Sequence, residues 1–109
     1  MEEQQKKLTY LHNKMTENLN KLLERWNITD DKNLYSQDLL QDVPKILQDY
    51  ETLHSKVEKG EISDSILEQL NILNKNLVET TIKIEWDTNR IYTEQIQEKV
   101  KERITKKLN

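Results

Sequence analysis

Apolar side chains recur along this chain at helical spacing. Leu8, Leu11, Met15, Leu19, Leu22 and Trp26 follow one another at steps of 3, 4, 4, 3 and 4 residues. That average matches the 3.6-residue turn and holds one stripe on a straight helix. A first helix is predicted over about residues 3–26. It stops at the polar run Asn27-Ile28-Thr29-Asp30-Asp31-Lys32-Asn33, a loop over 27–33 in which Thr29, Asp30 and Asp31 suit the cap of a short helical turn.

The second pattern, Leu39, Val43, Ile46, Tyr50, Leu53 and Val57, steps by 4, 3, 4, 3 and 4, a strict heptad seam widened by Leu40 and Leu47. A second helix is predicted over about residues 34–59. Pro44 lies inside it, without the backbone donor that would reach residue 40 and with a ring that crowds that carbonyl. The spacing therefore predicts a kink or break near 42–44. Lys56, Lys59 and Gly60 make a stop signal, cations near the last carbonyls and a glycine free to take the left-handed cap conformation. Ser63 then caps a third helix, with Asp64 at its positive end and a staple expected between Ile62 and Leu67. From there to Asn109 there is no Gly, no Pro and no polar loop cluster, which predicts one helix over about residues 63–108, roughly 65–70 Å long.

Relative helix lengths decide the expected architecture. The first two helices have room for about 24 residues each, and short connections make neighbouring helices antiparallel. An all-α, up-down-up three-helix bundle follows, a hairpin braced against one long, coiled-coil-like helix in a single domain spanning 1–109. The first helix should end level with Trp86, so that 87–108 projects. The apolar pattern changes at the same place: Ile66, Leu70, Leu73, Leu77 and Ile84, joined by Val78 and Ile82, keep one face, and the two tryptophans are expected to plug the bundle end. Beyond them the apolar residues thin to Ile91, Tyr92, Ile96, Val100, Ile104 and Leu108. A four-residue step drifts about 40° round a regular helix, so this sparse stripe winds across the surface. The alternative is a fourth helix folded back after a cap at Asp87-Thr88-Asn89.

Composition narrows the class. Over 109 residues the hydrophobic and charged fractions are each 34%, fewer apolar and more charged residues than an ordinary globular chain, as suits long solvated helices. One glycine and one proline leave no turn chemistry for a sandwich or barrel, and no glycine-rich phosphate loop. The absence of cysteine excludes disulfides and cysteine-ligated zinc. The polar opening MEEQQKK is unlike a signal peptide, and no stretch has the length of apolar residues that spans a membrane. The expected location is intracellular, cytoplasmic or nuclear. Asn27-Ile28-Thr29 matches a glycosylation sequon by pattern alone and reads as loop.

Chemistry is thin. Catalysis needs a nucleophile, acid or base held in a pocket. The carboxylates here sit where helices place solvated faces and i,i+4 partners of Lys and Arg, so no catalytic residues, no cofactor and no metal are expected. His12 and His54 approach each other in an antiparallel pair and read as histidines at the core boundary, since a metal site would need further ligands gathered round them. Small-ligand or metal binding by these histidines and the tryptophan pair is a second alternative reading. The final dozen residues carry Lys99, Lys101, Arg103, Lys106 and Lys107 against Glu98 and Glu102, which suits either the helix's own dipole or an anionic partner such as a nucleic acid. A net charge of −3 gives no general reason for nucleic-acid binding. Asp30, Asp31, Asp38 and Asp42 set an opposite charge elsewhere on the molecule.

In class alone, the pattern resembles small helical subunits of chromosome-segregation or vesicle-tethering assemblies. The expectation is a non-enzymatic structural or adaptor subunit, homodimeric or hetero-oligomeric through the third helix, with Trp86, Ile91, Tyr92, Ile96, Val100, Ile104 and Leu108 as the contact residues.

Overall fold

The computed structural model describes residues 2–108, the side chain of residue 108 excepted, so the expected contact at Leu108 lies outside the described residues. The chain forms α1 (Glu2–Trp26), a 3₁₀ turn (Lys32–Leu34), α2 (Gln37–Glu58) and α3 (Asp64–Leu108), with no strand among the described residues. Three helices pack together, and the 74 Å long axis is that of α3.

Local chemistry sets the boundaries. Asp31 caps the 3₁₀ turn, its carboxylate accepting from the Asn33 N–H at 3.1 Å. Ser36 and Ser63 cap α2 and α3 through hydroxyls that accept from the N–H groups of Leu39 and Ile66. At the end of α2, Gly60 takes a φ of 84°. The Gly60 and Glu61 N–H groups then donate to the Val57 and Lys56 carbonyls at 3.0 and 3.1 Å, the paired bonds of a Schellman cap.

α2 stays helical through Pro44, where the sequence suggested an interruption. One missing hydrogen bond is a local loss, and Val43 and Ile46 on either side are both buried in the core, which holds the flanking turns in place. α3 likewise continues through Asp87-Thr88-Asn89, so the fold-back alternative is overturned. The Thr88 hydroxyl donates to the Ile84 carbonyl at 2.8 Å, an intrahelical bond in place of the expected cap.

α3 is the element on which both others pack, α1 more extensively than α2, while α1 and α2 lie further apart. Partners along α1 and α3 advance together: Gln4 with Asp64, Asn18 with Asn74, Arg25 with Glu85. Partners of α1 on the following segment run the other way, His12 with His54 and Trp26 with Tyr35. Imidazole and phenol rings fill the wider α1–α2 gap. His12 stacks on His54 at 5.0 Å and Tyr50 on His54 at 5.5 Å. Of the three helix pairs this one is the most open, and these rings lie in it.

The core is a single file along this arrangement. α1 buries Leu8, Met15 and Leu22, seven residues apart, and α2 buries Leu39, Val43, Ile46 and Leu53. On α3 the buried file is Ile66, Leu70, Leu73, Leu77, Thr80, Ile84, Thr88 and Ile91, with steps of three and four throughout. Two of its members are threonines. Val78 and Ile82, assigned to this face from the sequence, are exposed, and Thr80 and Thr88 hold the positions in register.

Candidate interaction face on α3

The cover that α1 and α2 give α3 ends in a cluster around Asp87 and Arg90. Arg25 of α1 pairs with Glu85 at 3.0 Å, which puts the end of α1 level with that turn of α3. Tyr35, buried behind the 3₁₀ turn, stacks on Trp26 at 4.5 Å. Its hydroxyl lies 3.2 Å from the Thr88 hydroxyl and 3.3 Å from the Trp26 carbonyl. Lys32 donates to the Trp26 and Thr29 carbonyls and sits 5.3 Å from the Trp26 ring, a cation over an aromatic face. Asp87 accepts from the Ser36 N–H at 2.8 Å and from Arg90 Nε at 2.7 Å. Arg90 also donates to the Leu34 carbonyl at 2.8 Å and reaches Glu94 at 3.1 Å.

Burial works to raise the Asp87 carboxyl pKa. The Arg90 hydrogen bond, the Ser36 N–H and the Arg90 charge outweigh it and hold the group below the usual carboxylate range. This latch ties the start of α2 to α3 and closes the body one turn beyond the level expected from sequence.

Ile91 is the last residue it covers. At 4% exposed it belongs to the core, so the expectation that it faces a partner is corrected: the Tyr35 and Arg90 contacts extend cover past Trp86. Trp86 is 76% exposed and borders a shallow groove with Leu39, Ile82 and Lys83, so the expectation that it plugs the core is corrected, while its assignment as a contact residue is not touched by that. Trp86 follows the fully buried Ile84 by two residues, about 200° round the helix, and therefore points outward. Trp26, half-buried and stacked on Tyr35, is the tryptophan that closes the bundle end.

Beyond Ile91 nothing among the described residues covers α3. Tyr92, Ile96, Val100 and Ile104 are 47–61% exposed, on a helix that runs about 25 Å past the last contact. Lys99, Lys101, Arg103, Lys106 and Lys107 are exposed on the same segment. The Tyr35 anchor was missed because a lone tyrosine in a polar loop carries no periodicity. Thr80 and Thr88 were missed as well, because they are not apolar; the one signal for them is that they complete the three-and-four spacing from Ile66 to Ile91.

The two histidines do meet, with His12 Nε2 and His54 Nδ1 2.8 Å apart, and His54 Nε2 lies 3.2 Å from the Glu58 carboxylate. Burial first, then the nearby His54, lower the His12 pKa against a smaller opposing pull from Glu58. The two nitrogens are spent on one another, and no group of three His, Cys, Asp or Glu stands at metal-binding geometry among the described residues. No helix among the described residues is long and apolar enough to cross a membrane. Comparison of the chain with protein-family models, with curated proteins and with solved structures finds no match.

Proposed function

We propose that this chain is a non-enzymatic structural or adaptor subunit of a larger protein assembly, whose helical body presents the second half of α3 to partner helices. The body in this reading is an up-down-up bundle with α2 bent at Pro44, and α3 is coiled-coil-like in its projecting half. A single observation carries it: a run of half-exposed apolar residues, Tyr92 to Ile104, on the part of α3 that has no neighbour among the described residues. An isolated helix is marginal in water, and this one has no alanine to raise its intrinsic propensity. Packing the stripe on another helix removes apolar surface from water and stabilises the helix in the same step. A cysteine-free chain fits work in the reducing interior of the cell.

Hydrogen exchange on the full chain, at a concentration where light scattering gives the monomer mass, tests the reading. Amides of 92–107 should exchange far faster than those of 66–90. Protection of 92–107 in the monomer would mean that the segment is satisfied by its own chain, and the reading would fail.

A further inference from the structure

The outward face of α3 carries apolar residues on both sides of the point where the body ends. Val78, Ile82 and Trp86 precede Ile91, and Ile96, Val100 and Ile104 follow it; all six are exposed, between 45% and 76%. At about 100° per residue the two triplets fall on the same side of the helix, nearly opposite the core file. They form one stripe about 39 Å long, interrupted in the middle by exposed Asn89 and Thr93.

The stripe is a palindrome. Its steps from Val78 through Asn89 and Thr93 to Ile104 are 4, 4, 3, 4, 3, 4 and 4, the same in both directions, and residues that sum to 182 mirror one another about Ile91. A two-fold antiparallel pair of identical helices requires this symmetry, because in an isologous interface residue i meets residue j and residue j meets residue i. We infer that the outward face of α3 binds a second copy of this chain, antiparallel and centred at the level of Ile91. The inference rests on the proposal that projecting α3 is a partner-binding surface, and it names the partner.

In that register Ile96 lies over the partner's Trp86, Val100 over the partner's Ile82, and Ile104 over the partner's Val78. The projecting half of each α3 is thus covered by the outer face of the other copy's body. Registers one helical step away leave part of each triplet opposite polar residues.

Charge selects the direction. Over 64–90 α3 has five acidic and three basic residues, and over 91–108 three acidic and five basic. A parallel pair sets the two basic ends side by side. The antiparallel pair sets each against the acidic half, with Glu79 flanking the partner's Lys101 and Glu85 flanking the partner's Lys99, and with Asp38 of α2 bordering the Trp86 groove. A seam of this length and about 10 Å of width buries roughly 400 Å² per copy, below the ~800 Å² of a standard interface. The dimer is therefore a weak one, in the micromolar range.

The chain has no cysteine, so single substitutions report on pairing directly. Ile82→Cys and Val100→Cys proteins, mixed and oxidised under mild conditions, should give chiefly the 82–100 mixed disulfide; 82–82 and 100–100 products in its place would overturn the antiparallel pair. Sedimentation equilibrium of the unmodified chain across the micromolar range should show a monomer–dimer equilibrium that Val100→Asp weakens by about tenfold or more. A chain that stays monomeric with 92–107 exchanging freely overturns the dimer and leaves the partner-binding reading standing. A monomer with those amides protected overturns both.

Discussion

Ile82 and Ile84 sit two residues apart on one helix and meet opposite surroundings, 47% and 0% exposed. Truncating each to alanine therefore measures the rotational setting of α3 against α1 and α2. Ile84→Ala removes three carbon atoms from the closed part of the core. The lost transfer energy and the cavity left behind together cost about 3 kcal/mol, within the range of roughly 2–5 for buried isoleucine. Ile82→Ala removes atoms already half in water and raises intrinsic helix propensity slightly, so its net effect on the monomer stays within about 0.5 kcal/mol of zero. Against a total stability of roughly 5–15 kcal/mol the first loss is large, and it lowers the thermal midpoint by about 10 °C or more. The assay is urea denaturation followed by helical circular dichroism at submicromolar protein, where a micromolar dimer is dissociated. Equal losses at the two positions, or a larger loss at Ile82, would refute the assignment of Thr80, Ile84 and Thr88 to the buried file. Repeated at high concentration, Ile82→Ala should acquire a cost that Ile84→Ala does not add to, since in the proposed dimer Ile82, and not Ile84, faces the second copy.

Three further perturbations probe the ends of the body. Tyr35→Phe keeps the ring on Trp26 and deletes the hydroxyl shared with Thr88 and the Trp26 carbonyl, so stability should fall by about 1 kcal/mol in urea denaturation with Trp fluorescence nearly unchanged. Asp87→Asn breaks the latch on Ser36 and Arg90 and should cost ~1 kcal/mol at neutral pH. Because folding lowers the Asp87 pKa, its contribution is present above the unfolded value near 3.8 and is lost as pH falls through the folded value, and the asparagine variant should lack that part of the acid limb. His12 also has a lowered pKa, but as a base it is favoured neutral by folding. The unfolded chain takes up the proton first, so stability should fall as pH drops below about 6.5 and level off below the folded pKa. Denaturation midpoints at pH 7.5 and 5.5 that differ as much in His12→Gln as in the unmodified chain would remove His12 as the cause.

The strongest signals in the sequence were local. Ser63, Gly60 and the polar run from 27 to 33 mark boundaries through backbone hydrogen bonding within a few residues, and such chemistry is visible wherever the residues are adjacent. The absence of glycine and proline after Gly60 was enough to place α3 as one helix, and the lengths of α1 and α3 were enough to place the end of α1 near residue 85. The end of intramolecular cover on α3 was legible only approximately. The sequence places it at Trp86, whereas Ile91 is still buried and Tyr92, Ile96, Val100 and Ile104 beyond it are exposed.

The long third helix is what the sequence by itself determined about this protein, together with the all-helical class. Both follow from periodicity and from the missing turn residues, which act over a few positions. Which side of α3 faces inward was decided only by tertiary structure. Apolar residues stand on both sides of the helix between residues 77 and 86, and hydrophobicity alone ranks Val78 and Ile82 above Thr80. Packing inverts that order, because a helix turns as a rigid body and the full file from Ile66 to Ile91 buries more than any file through Ile82. Thr80 and Thr88 are carried inward with it, and Val78, Ile82 and Trp86 are left on the outside.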